Sequence, residues 1–244
     1  MTLTLIGGGF CVPANAGYFK FWANLVQVSR DAGKDFSIFA VSYTLAPNAR
    51  YPTQLTQAVE ALRYILNSTS RDPSQILLGG DSVGGNLAIG VLSHLAHPHP
   101  SIEALKISEQ LAGMAAIGPK TSMDDNFDDT SIYYGGDLIT PGTSKMWSRT
   151  YLAGAARDYY TDASDAPSTW FESFPVKEIL IVAGQNEILL PKIEAFVKVL
   201  KASCKITTLP LVLANTFIVW ISLGGVPCWQ AGSSCCTNIQ HGSW

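Results

Sequence analysis

Short apolar runs alternate with amphipathic stretches along most of this 244-residue chain, and that alternation limits the fold more than any other feature. Thr2 to Ile6 reads as a buried strand. Phe19, Trp22, Leu25 and Val26 follow at helical spacing and stop near Gly33. Phe36 to Val41, rich in β-branched and aromatic residues, predicts a second strand. Leu55, Val59, Leu62 and Leu66 mark another helix, with Thr53 expected as its cap. The series continues with a strand at Gln75–Leu78, a helix at Val83–Leu95, and strands at Gly113–Ile117 and Glu178–Val182. A helix carrying Leu189, Ile193, Phe196, Val197 and Leu200 comes next, and a last strand at about Lys205–Val212 closes the series. Apolar strands separated by helices predict an α/β fold with a mostly parallel sheet, helices on both faces and right-handed crossovers.

The alternation breaks twice. Between Thr121 and Phe171 aromatic residues (Tyr151, Tyr159 and Trp147 among them) are mixed with Asp and Gly, and the stretch is long enough to form an inserted cap over the sheet's carboxyl edge. After Lys205 no Lys, Arg, Asp or Glu occurs. Within that tail Leu209 to Val226 is almost wholly apolar and approaches the ~18 residues of a membrane helix, although Pro210, Asn215 and Gly224-Gly225 weaken the pattern. A membrane anchor and an altered C-terminus are the two readings. The expected organisation is one domain over residues 1–213, with its cap at about 121–171, and an uncharged tail at 214–244.

The formal net charge of −3 and the absence of any Lys- or Arg-rich run exclude a nucleic-acid partner. The N-terminus lacks a basic segment followed by a long apolar one, so no signal peptide is expected and the location is read as intracellular. Five cysteines match no zinc template and are read as free thiols. Asp124-Asp125 and Asp128-Asp129 read as a solvated acidic loop rather than a calcium site. No metal or other cofactor is implied.

Gly80-Asp81-Ser82-Val83-Gly84 lies between a predicted strand and a predicted helix. In that context G-x-S-x-G places the serine on a sharp, strained turn, and small residues two before and two after let strand and helix approach. The helix N-terminus beneath Ser82 favours developing negative charge. Gly7-Gly8-Gly9 follows the first strand. Taken alone this run is a tight turn or a phosphate loop. Beside a serine elbow, the amides of Gly8, Gly9 and Val83 can instead form an oxyanion hole.

These motifs together resemble the hormone-sensitive-lipase-like branch of the α/β-hydrolase fold, and within it a fungal group that includes steryl acetyl hydrolases. Ile6-Gly7-Gly8-Gly9-Phe10 stands in the place of that family's H-G-G-G-F, and Tyr43-x-Leu45-Ala46-Pro47 is followed by Tyr51-Pro52. Gly80 to Asn86 matches the elbow, Leu92 to Leu95 with His97-Pro98-His99-Pro100 matches the fungal group, and Asp165-Ala166-Pro167 matches the cap. The resemblance implies a serine esterase acting on a small-molecule ester, and hydrolases of fungal secondary-metabolite and toxin clusters belong to the group. It implies strands ahead of the glycine run that this sequence lacks. It gives Glu187, in Ala183-Gly184-Gln185-Asn186-Glu187, the role of the acid that orients the base; a charge at a helix N-terminus is the alternative. The base should follow the last strand, and His241 alone has the chain order serine, acid, histidine. His94, His97 and His99 read as surface residues beyond the elbow helix. Two outcomes stay open: an esterase using Ser82, Glu187 and His241, or a vestigial binding protein that has lost its base. The cap's aromatics suggest an apolar or alicyclic acyl group, with ordinary core packing as the alternative.

Overall fold

Leu3, Leu78, Met114, Ala116, Ile179 and Ile181 fall on one face of a single sheet by their register, and all six are buried. A computed structural model of the chain describes residues 1–124, 126, 137–203, 207–213 and 216–222. Its strands are β1 (Thr2–Leu5), β2 (Ile38–Val41), β3 (Leu77–Asp81), β4 (Leu111–Ile117), β5 (Val176–Gly184), β6 (Thr207–Leu213) and β7 (Thr216–Ser222). They run in the order β2-β1-β3-β4-β5-β7-β6, and the first five are parallel. Parallel pairing requires crossovers, and the predicted helices α1 (Ala16–Asp31), α2 (Thr53–Ser68), α3 (Val83–Ala96) and α5 (Leu190–Ser203) supply them, together with α4 (Pro141–Leu152) from the segment expected as a cap.

The register places the functional edge. Leu5 is opposite Gly80, Asp81 opposite Ile117, and Ile117 opposite Val182. The carboxyl ends of β1, β3, β4 and β5 therefore finish side by side, where an open α/β sheet gathers its ligands.

Helices stand on both faces of the sheet, as expected, though they cover the two unequally, and two expectations are corrected here. Residues from Val83 to His94 of α3 are all buried, and Leu55, Val59, Leu62 and Ile65 of α2 pack beside them. The opposite face carries Thr2, Thr4, Gly79 and Ala115, side chains too small to fill the space beneath α1, and a cavity of about 540 Å³ remains there. Thr53 is the first residue of α2 rather than its cap; the cap position is Pro52, whose carbonyl accepts from the Thr56 amide at 2.9 Å. The strand expected to close the series, at about Lys205–Val212, is β6, and another strand follows it. Thr216–Ser222, from the uncharged tail, enters as β7 between β5 and β6 and runs antiparallel to both.

The sequence of the tail explains why this segment is a strand and why it pairs antiparallel with β6. Thr216-Phe-Ile-Val-Trp-Ile-Ser222 is β-branched and aromatic almost throughout, which suits a strand better than a helix. The two residues joining β6 to β7 are too few for a crossover, so the pair is antiparallel. The described part of the apolar run at 209–226 is thus two sheet strands. Among the described residues no helix is long and apolar enough to cross a membrane.

Candidate active site

Ser82 takes φ 51° and ψ −118°, a backbone conformation that residues with a Cβ rarely adopt. Three main-chain bonds hold it there. Its amide donates to the Ile117 carbonyl at 2.9 Å, and its carbonyl accepts from the amides of Lys120 at 2.9 Å and Asn86 at 3.1 Å. The turn closes because its flanks are glycines. A Cβ on Gly84 would stand 2.0 Å from the Leu5 carbonyl oxygen, and one on Gly80 2.3 Å from the Gly84 backbone. Ser82 is left half-buried at the head of α3 rather than inside it.

The glycine run after β1 arrives at the same edge. Gly8 and Gly9 have φ of 101° and 62°, and a Cβ on Gly9 would run into the Trp147 ring. Gly9, Val83 and Ser82 line one narrow cleft with Phe10, Lys120, Met123, Ile139, Ser144, Trp147 and Ser148. Gly8 lies behind it, with its Cβ direction facing the Val12 carbonyl. Among the described residues no acceptor takes the amides of Gly8, Gly9 or Val83. The cleft closes to about 10 Å³, room for roughly one water.

Ile6, at the position of the motif histidine, is buried and has no side-chain donor. Other groups brace the run. The Gly7 amide donates to Asp81 Oδ1 at 3.0 Å, and the Tyr18 hydroxyl donates to Asp81 Oδ2 at 2.6 Å. The Tyr43 hydroxyl donates to the Ile6 carbonyl at 2.7 Å, and the Ala46 amide donates to the Phe10 carbonyl at 2.8 Å. Asp81 thus ties the elbow, the glycine run and α1 into one unit.

Burial raises the Asp81 carboxyl above the ordinary aspartate range, against the pull of the bonds from Tyr18 and Gly7. A carboxyl whose folded value exceeds its unfolded one contributes most at low pH, and that contribution is lost as pH rises through the folded value. Asp81→Asn keeps the shape and removes the titration. As pH rises from about 4 the native protein should therefore lose Tm relative to this variant. Parallel melting curves across that rise would refute the assignment.

Glu187 stands just past β5. Its Oε1 accepts from the Gly184 amide at 2.9 Å, and its Oε2 would lie 2.9 Å from a Cβ on Gly118. Gly118 follows Ile117, whose carbonyl holds the Ser82 amide, so the end of β4 separates the two side chains. Burial raises the Glu187 carboxyl above its usual range, the Gly184 bond lowers it, and the charge of Asp137 raises it further. Asp137 itself accepts from the Ile188 amide at 2.7 Å.

His241 lies outside the described residues. Of the three histidines after the elbow, His94 and His99 are not surface residues, and that expectation is corrected for them, while His97 is half-buried. His94 and His99 are buried because residues 97–107 fold back over the end of α3, with Ile102 and Leu105 packed inward. The His99 amide donates to His94 Nδ1 at 3.1 Å, which leaves His94 Nε2 to donate to the Glu103 carbonyl at 3.1 Å. This fixes a neutral tautomer, in line with the lowered pKa that burial gives His94. His97 stacks on Trp170 with its Nε2 2.8 Å from the Trp170 carbonyl.

The segment expected as a cap supplies α4 over this edge. Tyr151 stacks on Phe10 at 3.7 Å and is fully buried, so part of the aromatic content is core packing, while Trp147 forms a wall of the cleft. Asp124 pairs with Lys192 at 3.5 Å and Arg157 at 4.0 Å; Asp125, Asp128 and Asp129 lie outside the described residues. Lys120 belongs to no sequence motif, and Asn86 enters only as the last residue of the elbow motif. Asn86 Nδ2 donates to the carbonyls of Lys120 at 2.7 Å and Thr161 at 2.8 Å, joining the elbow helix to the segment above it. The signal for Lys120 was its place three residues past the end of β4, on the edge where ligands gather.

Comparison with known proteins gives the same architecture. The chain is 32% identical over 166 residues to probable carboxylesterase 6 of Arabidopsis thaliana, and 36% identical over 97 residues to ethyl acetate hydrolase of Pseudomonas putida. Those matches cover 63% and 38% of this chain but only 46% and 29% of the relatives. Carboxyl esterase 2 of the fungus Tuber melanosporum superposes with a TM-score of 0.68 at 22% identity, over 83% of this chain and 62% of that one. A family model described as the alpha/beta hydrolase fold matches residues 3–214, so the chain belongs to the alpha/beta hydrolase family.

Proposed function

We propose that this protein is a carboxylic ester hydrolase in which Ser82 is the nucleophile. The observation that carries the reading is the strained Ser82 turn sharing one cleft with the amides of Gly9 and Val83. In this scheme Ser82 attacks an ester carbonyl, and the oxyanion is held by Val83 and the Gly8-Gly9 run. His241 takes the serine proton and passes it to the leaving alcohol, while Glu187 orients the imidazole and stabilises its charged form. Residues 1–213 are the hydrolase domain, and about 121–171 cap the cleft. The substrate is a small ester with an apolar body, since Trp147, Phe10, Met123 and Ile139 line the cleft. The motifs shared with the fungal group support a role in secondary metabolism or toxin formation.

A fluorophosphonate probe tests the nucleophile. Covalent labelling of Ser82 in folded protein and turnover of a short-chain aryl ester are expected. Glu187→Gln should then lower kcat by roughly 10²- to 10⁴-fold, and His241→Ala by at least as much. A second reading, a binding protein that has lost its base, is favoured by the packing of His94, His97 and His99 away from the cleft. Folded protein that neither reacts with the probe nor turns over ester would establish that reading instead.

A further inference from the structure

Tyr18 has no part in the scheme above, yet its hydroxyl stands directly behind the glycine run. It donates to Asp81 Oδ2 at 2.6 Å, while Asp81 Oδ1 accepts from the Gly7 amide at 3.0 Å. The same hydroxyl oxygen would lie 2.8 Å from a Cβ on Gly7, so it also packs against the run itself. Asp81 precedes Ser82 in the chain and Gly7 precedes Gly8. One carboxylate therefore sets the spacing between the nucleophile and the amides of Gly8 and Gly9.

That carboxylate has room to move. Asp81 and Tyr18 both line the cavity of about 540 Å³ beneath α1, whose other walls include Leu5, Ala115 and Ile117. A carboxylate that lost a donor there would face apolar walls, and turning toward water would release Gly7. Tyr18 comes from the first turn of α1, where the Asn15 side chain accepts from the Gly17 amide at 2.8 Å. No residue of α1 is buried, so core packing does little to fix this helix, and a short charge-assisted bond links it to the site. Burial and the bond to Asp81 raise the Tyr18 hydroxyl well above its usual range, so it stays a donor.

We propose that Tyr18 is a positioning residue: by holding the Asp81 carboxylate it keeps the oxyanion amides of the glycine run in register with Ser82. This rests on the hydrolase reading and deepens it. Ile6 stands where the motif has a histidine, and the Tyr18–Asp81 pair braces the run from the other side.

The test is a double-mutant cycle on the full chain with 4-nitrophenyl butyrate. Tyr18→Phe removes one oxygen and keeps the ring. It should lower kcat about 10- to 100-fold and change KM by less than about 3-fold, because the oxyanion donors act on the transition state. Asp81→Ala should lower kcat at least as far, and adding Tyr18→Phe to it should cost less than about 3-fold more. Asp81→Asn can still accept from Gly7 and donate to the Tyr18 oxygen, and should stay within about 3-fold of the native rate. Native kcat in folded Tyr18→Phe overturns the proposal, and so do losses that multiply across the cycle. Where Tyr18→Phe fails to fold, the Asp81 pair decides: a loss in Asp81→Ala that Asp81→Asn restores supports the proposal, and native kcat in Asp81→Ala overturns it. Failure of the fluorophosphonate to label Ser82 in the native protein would remove the hydrolase reading, and this one with it. Labelling of Ser82 with native kcat in Tyr18→Phe would remove this one alone.

Discussion

Ser82→Ala should lower ester turnover by roughly three to six orders of magnitude while the protein remains folded. The size follows from the role assigned to the hydroxyl. A nucleophile, its base and the orienting acid act as a unit, and removing the nucleophile leaves only what the oxyanion donors and binding contribute. The backbone at this position provides an independent check. Ser82 has φ 51°, and a residue with a Cβ in such a conformation carries about 1–3 kcal/mol of strain. Ser82→Ala keeps the Cβ and should leave the Tm near that of the native protein. Ser82→Gly relieves the strain and should raise the Tm by a few degrees, even as turnover disappears. Activity and stability would then move in opposite directions at one residue. Turnover surviving in Ser82→Ala would end the assignment, and a Tm in Ser82→Gly no higher than in Ser82→Ala would show the turn to be unstrained.

Gly84→Ala should be among the most destabilising single-methyl changes in the chain. The added Cβ would sit 2.0 Å from the Leu5 carbonyl oxygen and 2.6 Å from its carbon, both backbone atoms of β1 that cannot swing aside. Relief requires α3 to lift from the sheet, which separates buried Leu87, Val91 and Leu92 from their partners and moves Ser82 with them. Overpacking of this kind costs about 3 kcal/mol, which corresponds to about 6–12 °C in Tm for a domain of this size. Esterase activity should fall with it, since the turn and the cleft share their supports. Gly142→Ala in α4 is the matched control. Its Cβ would meet nothing closer than Thr140 Oγ1 at 3.9 Å, and alanine in a helix should be neutral or stabilise by up to about 1 kcal/mol. Equal melting temperatures for the two variants would show that the tight approach of α3 to β1 is not required.

The bracing of the glycine run shows how an altered motif can keep its geometry. With Ile6 in place of a histidine, the main chain on either side is held by Tyr43 through the Ile6 carbonyl and by Asp81 through the Gly7 amide. Loss of the motif histidine therefore says nothing against the loop itself. The question of activity moves to the base.

Local pattern was enough to read the parallel part of the sheet, the elbow and the glycine run. Short apolar runs at Thr2–Ile6 and Gly113–Ile117 and a period near 3.6 in Thr53–Ser68 are properties of neighbouring residues. The need for small residues on each side of Ser82 is just as local. Three other features depend on residues far apart in the chain. The burial of His94 and His99 depends on residues 97–107 folding back over α3, although the sequence around them is rich in turn residues and reads as surface. The entry of Thr216–Ser222 between β5 and β6 depends on which strand edge is open, a matter of partners that no strand encodes by itself. The meeting of Lys120, Ser144 and Trp147 with Ser82 depends on the register that ends four parallel strands side by side and on α4 crossing above them. Periodicity fixes which way a side chain faces within its own element; only the packing of elements against one another decides what it faces.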